Sequence, residues 1–258
     1  MKRLGILGAG FLGGIVARAW RDGLLPGYEL VGITSQSMDK LEALCQEVGC
    51  PAFDTLETLL GQGCDVVAEC AGVRAVRDGA IPTLEAGADL AVLSIGALAD
   101  PGFYARVSHR AEELGRKVHL ASGAIGGFDV LRTVSLMGEA RGSMETRKGP
   151  ASLKHTPVYS PDMEGAEKTA FSGTPAQAIE LLPTKVNVSV AASLASTGPE
   201  RMAFAIQSVP GFVGDDHKIT VEREGVRAVV DVYSATSAIA GWSVVALLQN
   251  IDAPIQFF

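Results

Sequence analysis

An apolar stretch running into three glycines at fixed spacing restricts this chain more than any other feature. Arg3-Leu4-Gly5-Ile6-Leu7 reads as a buried strand, Gly8-Ala9-Gly10-Phe11-Leu12-Gly13 follows, and Ala17, Ala19 and Trp20 belong to a helix beginning there. Strand, Gly-x-Gly-x-x-Gly turn and helix, in that order, are what a dinucleotide-binding βαβ unit requires. Gly8 permits the tight turn, Gly10 puts no side chain between backbone and pyrophosphate, and Gly13 lets helix and strand approach closely. The helix start adds unpaired N–H groups and the positive end of its dipole. Gly8, Gly10, Phe11, Leu12 and Gly13 are thus the expected cofactor-binding residues here, for NAD or NADP. A second strand at Glu29-Leu30-Val31-Gly32-Ile33 supplies context that an isolated glycine motif lacks.

The same segment has the outline of a secretory signal, with Lys2 and Arg3 before an apolar stretch and Ala17-Arg18-Ala19 after it. Five glycines in the first fourteen residues would make a poor apolar helix, and cleavage would delete the first strand of a pattern that continues in register. The signal reading is set aside on those grounds. Cys45, Cys50, Cys64 and Cys70 form no Cys-x-x-Cys pair and have no nearby histidine, so neither a zinc site nor a secreted disulfide framework is expected. No metal is expected, and a reducing cytoplasm is the expected compartment. The net charge of −7 disfavours a nucleic-acid or anionic-membrane partner. No apolar run approaches the roughly 20 residues that span a bilayer.

With 258 residues, 47% of them hydrophobic, the chain has core enough for one large or two modest domains. Up to about residue 125, strands and helices alternate. Helices are expected over 37–48, 55–60, 73–86 and 101–115, and strands over 65–69, 90–94 and 117–120. Continuous apolar strands separated by helices indicate a parallel sheet covered on both faces. Beyond that point a helix is expected over 126–137, a strand over 143–147, and a loop through 164. Helical pieces follow around 175–182 and 186–195. The stretches 202–209, 218–223 and 227–233 read as antiparallel strands with one wet face, and 237–249 as a last apolar helix. The fold class expected is α/β, a Rossmann-type doubly wound parallel sheet with a second, smaller α+β domain. The dinucleotide-binding domain would take 1–125 plus 237–258, and a substrate and dimerisation domain 126–236.

Ligands bind at the carboxyl ends of strands in such sheets. Here those exits are short turns of Gly, Ala, Ser and Thr, at 8–13, 34–37, 70–72, 94–97 and 121–127. Where a carboxylate commonly meets the adenosine ribose, the chain has Thr34-Ser35-Gln36-Ser37 with Lys40 a turn later. Hydroxyls and an ammonium suit a 2′-phosphate, so NADP is expected to be accepted, with Ser35 as a contact; Ser35 as a mere helix cap is the alternative. Among the histidines, His109 reads as a surface residue, His119 as strand packing, and His155 as a loop residue beside Lys154. His217 follows Gly214-Asp215-Asp216 and immediately precedes a strand, where two carboxylates would favour its charged form and suit it to proton transfer.

Several blocks together resemble the L-aspartate dehydrogenase family. They are Ser122-Gly123-Ala124-Ile125-Gly126-Gly127-Phe128-Asp129, Ser94-Ile95-Gly96-Ala97-Leu98-Ala99-Asp100 and Thr146-Arg147-Lys148, then Leu182-Pro183 with Val186-Asn187-Val188, Gly198-Pro199, and the run from Asp215 to Ile219. The similarity spans almost the whole chain in one order. It implies an NAD(P)-dependent enzyme that oxidises L-aspartate, a small dicarboxylic amino acid, to iminoaspartate or oxaloacetate plus ammonia, reversibly. It also implies a homodimer and a product able to enter NAD biosynthesis. By this resemblance His217 matches the catalytic histidine, and Ala124 and Asn187 match cofactor contacts. Two positions depart from the family pattern: Asp215 and Lys185 stand where Asn is usual.

A dicarboxylate calls for cations, and Lys148, Lys154, His155 and Lys185 are unranked candidates. Two other functions fit the same scaffold. One is a dehydrogenase or reductase for a related intermediate such as homoserine or dihydrodipicolinate. The other is a non-enzymatic NAD(P)-binding regulator, which would bind dinucleotide without turnover.

Overall fold

The computed structural model describes residues 1–183 and 186–257. In chain order the first half forms β1 (Lys2–Leu7), α1 (Phe11–Arg21), β2 (Tyr28–Thr34), α2 (Met38–Val48), β3 (Ala52–Phe53), α3 (Leu56–Leu60), β4 (Val66–Glu69), α4 (Val73–Glu85), β5 (Asp89–Val92), α5 (Pro101–Leu114) and β6 (Val118–Leu120). A short 3₁₀ turn, Ile95–Ala99, lies between β5 and α5. The strands make one parallel sheet in the order β3-β2-β1-β4-β5-β6, reversing direction of winding between β1 and β4. Central strands are apolar on both faces because helices cover both, and Val66, Val67 and Ala68 are buried without alternation. The helix ends follow local chemistry: the Asp100 carboxylate accepts from the Phe103 N–H at 2.9 Å, Pro101 opens α5, and Gly115 closes it in the left-handed region.

The second half forms α6 (Phe128–Leu136), β7 (Arg141–Lys148), β8 (Lys168–Gly173), α7 (Pro175–Leu181), α8 (Asn187–Leu194), β9 (Ala203–Ser208), β10 (Asp215–Arg223) and β11 (Val226–Ser234), after which α9 (Ala238–Asp252) ends the chain. These strands make a five-stranded sheet in the order β11-β10-β7-β9-β8. Compactness divides the chain into Met1–Gly123 with Ala238–Phe258, and Ala124–Ser237. Within the first unit, α9 lies on α1. The missing Cβ of Gly241 leaves room for Ile15, and Val244, Val245 and Leu248 join the core of Leu4, Ile6 and Val16. Each such side chain contributes about 1.5–3 kcal/mol by burial. The Tyr28 hydroxyl donates to the Leu248 carbonyl at 2.8 Å, and Lys2 pairs with Asp252 at 2.7 Å.

The second sheet corrects one expectation. It is mixed rather than antiparallel throughout, because β9 runs parallel to β7 while β10 is antiparallel to both β7 and β11. The connection from β7 to β9 carries β8, α7 and α8, long enough to return the chain in the same direction. β8 itself, absent from the sequence reading, is an edge strand with a register shift between Thr169 and Phe171, which erases the alternation that would reveal it. On β7, residues alternate between exposed and buried, with Met144, Thr146 and Lys148 inward. On β10, His217, Ile219 and Val221 are the inward set. α6 lies on β10 and β11, and α8 lies on β7.

Candidate functional site

In the first unit the glycine turn is shaped as its spacing requires. Gly8 has φ +117°, and a Cβ there would press on the Cys70 backbone at 2.8 Å. The Gly8 N–H donates to the Thr34 carbonyl at 2.7 Å, tying the exits of β1 and β2 together. A Cβ on Gly13 would collide with the Gly8 carbonyl oxygen, so helix and turn touch only because that position is bare. Gly10 differs, since a Cβ there meets no atom within 4 Å. The space before its backbone is left to a ligand. Gly10 also caps α1 without a side-chain bond, so the N–H groups of Phe11, Leu12 and Gly13 have no acceptor within the helix and no cap. Open space and uncapped N–H groups of this kind could receive a pyrophosphate.

A cavity of about 1230 Å³ opens beside the turn, lined by Gly8, Gly10, Ser35, Lys40, Ala71 and Arg74 among others. Ser35 is not the cap of α2. Ser37 holds that position, and its N–H makes only a long 3.4 Å contact to the Ser35 oxygen. The cations Lys40 and Arg74 share the wall with Asp54 and Glu57, so it carries both signs.

Glu69, at the exit of β4, is a buried bracing residue that sequence reasoning missed. Its carboxylate is fully buried and accepts from the N–H groups of Ala71 and Gly72 at 2.8 and 2.7 Å. It also accepts from the N–H groups of Leu93 and Ser94 at 3.2 and 2.9 Å and from the Ser94 hydroxyl at 2.9 Å. One side chain thereby holds two neighbouring strand exits in place. A carboxylate ending an otherwise apolar strand was the available signal.

In the second unit His217 lies inside β10 rather than before it, and is only 3% exposed. Opposite it on β7 is Thr146, whose hydroxyl is 2.9 Å from Nδ1. Two residues along both strands, Lys148 faces Asp215, with Nζ 2.9 Å from Oδ1. Burial pushes the imidazole down to about 4, the Asp215 carboxylate opposes that shift, and the Lys148 ammonium adds to it. The expectation of two carboxylates favouring the charged ring is therefore corrected. Strand alternation turns Asp216 to the other face, where burial and then Asp231 raise its own carboxyl, and desolvation outweighs the remaining carboxylate.

Of the remaining expected contacts, Ala124 is half-buried at the start of the second unit, and Asn187 is the first residue of α8. Lys154 is spent on Glu164 at 3.1 Å, and His155 has φ +67° in a loop. Lys185 lies outside the described residues. His109 is exposed, as anticipated, and His119 is more than packing, lying 3.1 Å from Asp89. Burial raises the thiols of Cys45, Cys50, Cys64 and Cys70, with Cys50 pushed up to about 12 and Cys64 to about 11, so none is a ready nucleophile. Among the described residues no group of acidic, His or Cys side chains has the arrangement of a metal site. No helix among the described residues is long and apolar enough to cross a membrane.

Sheet order and glycine cradle define an NAD-binding α/β protein of the Rossmann kind, and comparison with known proteins narrows the class. Residues 8–121 match the family model for the homoserine dehydrogenase NAD-binding domain, and residues 129–251 match the model for the aspartate dehydrogenase C-terminal region. An L-aspartate dehydrogenase of Methanococcus maripaludis is 31% identical over 266 residues, covering 99% of each chain. One from Methanosarcina barkeri is 33% identical over 270 residues, again covering 99% of each. The crystal structure of aspartate dehydrogenase from Thermotoga maritima superposes with a TM-score of 0.82 at 22% identity, covering 100% of both chains. A homoserine dehydrogenase from Thiobacillus denitrificans shares the fold at a TM-score of 0.65 and 15% identity, covering 97% of this chain and 73% of that one. The chain belongs to the L-aspartate dehydrogenase family.

Proposed function

We propose that this chain is an NAD(P)-dependent L-aspartate dehydrogenase, oxidising L-aspartate through iminoaspartate to oxaloacetate and ammonia, and running in reverse as a reductive amination. The observation that supports it most is a buried, neutral imidazole on a polar patch within the region matching the aspartate dehydrogenase C-terminal model. The homoserine dehydrogenase model reaches only the nucleotide-binding half, so it carries no argument for homoserine as substrate.

The dinucleotide fits the residues present: Gly10 leaves open space, and α1 presents uncapped N–H groups. When bound, it supplies the acceptor for the hydride that leaves Cα of the amino acid. Gly8, Gly10, Phe11, Leu12 and Gly13 would hold the pyrophosphate and Ser35 would meet the adenosine ribose, while Ala124 and Asn187 would add the cofactor contacts that the family resemblance implies. The Thr146 hydroxyl lies 2.9 Å from Nδ1, and in the tautomer that donates from Nδ1 to this hydroxyl Nε2 is left as the basic atom. Nε2 takes a proton from the water that adds to the imine carbon, returns it to the nitrogen, and takes the remaining hydroxyl proton as the carbon–nitrogen bond breaks and the carbonyl forms. Because burial keeps the ring neutral, it is ready as a base without first losing a proton.

A homodimer working in the cytoplasm completes the proposal. The four free thiols support a reducing compartment, and the exposed Val229 and Tyr233 on β11 are where self-association would be sought. The test is a screen of amino acids with NAD⁺ and NADP⁺, read by dinucleotide reduction. L-aspartate is expected to lead. Preferential oxidation of homoserine, or dinucleotide binding with no turnover of any amino acid, would overturn the reading.

A further inference from the structure

The second unit places an ion pair beside the histidine with a regularity that the sheet register enforces. Lys148 and Asp215 are paired across β7 and β10, Thr146 and His217 are the next same-face pair, and all four side chains share one face. The Lys148 side chain is 7% exposed and that of Asp215 is 42% exposed, so the cation is the buried member and the carboxylate reaches solvent.

Among the described residues, the other elements of the second unit packed around His217 bring it no further charge. β11 offers Val232 opposite the ring, with Val230 and Ser234 on either side along the same face. β9 offers Ser208 beside Lys148, a buried hydroxyl. α6 turns Leu131 and Val134 inward and leaves Asp129 and Arg132 exposed, and α8, lying on β7, contains no titratable residue. Two opposite charges thus act on one desolvated ring, one of each sign.

We propose that Lys148 and Asp215 are positioning residues that together set how readily His217 accepts a proton, the carboxylate favouring the protonated ring and the ammonium opposing it. The inference rests on reading His217 as the proton carrier of the reaction. The field of each partner acts in the direction its sign requires, with burial as the larger background. Asp215 also holds the Lys148 ammonium in place, so the two influences are delivered from fixed positions. Neither residue need touch the substrate for this.

The ring can be followed directly by NMR titration of the imidazole carbon–proton signals in the full chain, with His217 assigned by its loss in His217→Ala. In Lys148→Met the midpoint is expected to rise by about one pH unit. In Asp215→Asn the ring should stay neutral to the lowest pH at which the fold persists. That variant leaves a buried lysine unpaired, which threatens folding. The double variant, compared with Lys148→Met, isolates the carboxylate without that penalty and should titrate at lower pH than Lys148→Met. An unmoved midpoint, or shifts of the same sign on removing either partner, would overturn the proposal. The acid limb of the pH profile of kcat/KM for aspartate should move with the ring. If the ring moves as stated and the limb does not, the pair's influence stands and the assignment of His217 to the chemistry falls.

Discussion

A histidine that is neutral because it is buried gives the fold a dependence on pH that a surface histidine does not. In the unfolded chain the ring titrates near 6.5, and in the fold it is pushed down to about 4 by burial, with Asp215 opposing and Lys148 adding. Between those values the unfolded chain binds a proton that the fold refuses. The stabilisation is therefore complete above about pH 6.5 and lost as pH falls towards about 4, on the order of 3 kcal/mol in all. Denaturant unfolding of the wild type and His217→Gln across that window checks this: the wild type should lose more stability on the acid side, and equal slopes would contradict it. At the same residue, His217→Ala should lower turnover by about a hundredfold or more while dinucleotide binding, followed by fluorescence, persists. Unchanged turnover would remove the imidazole from the mechanism.

At the scale of elements, the β1–α1 turn separates two roles that glycines share on paper. Gly13 is a packing glycine, since a Cβ there strikes the Gly8 carbonyl, whereas Gly10 faces open space at an ordinary φ of −77°. Gly10→Ala should melt within a degree or two of the wild type yet bind dinucleotide at least tenfold more weakly. Gly13→Ala should lose thermal stability as well. Equal melting of the two variants would contradict the distinction. This turn was legible because the first sheet is buried on both faces, so its strands read as unbroken apolar runs and its exits as small residues. Glu69 was not, since a lone acid after Val66-Val67-Ala68 shows nothing of the N–H groups it gathers, two from the turn that follows it and two that reach it only when β4 and β5 lie side by side. The second unit was harder. Alternation placed β10 and β11, but the parallel pairing of β7 with β9 depends on where a long connection returns. Lys148 remained one cation among several because its inward orientation follows from the phase of β7, and its partner is 67 residues away on β10.

Across the full chain, the similarity to L-aspartate dehydrogenases runs through both the nucleotide-binding unit and the mixed-sheet unit. If the proposed homodimer forms, sedimentation equilibrium should give twice the 26.8 kDa of the chain, and a monomer at every concentration would contradict it. The central claim is that the bond broken on the amino acid is Cα–H, with its hydrogen leaving as hydride. L-aspartate carrying deuterium on Cα, incubated with the enzyme and oxidised dinucleotide, tests it most directly by mass spectrometry of the reduced dinucleotide. One deuterium is expected in each molecule of reduced dinucleotide, with oxaloacetate and ammonia formed in equal amount. Deuterium released to solvent, or aspartate recovered with its label and no reduced dinucleotide, would contradict it.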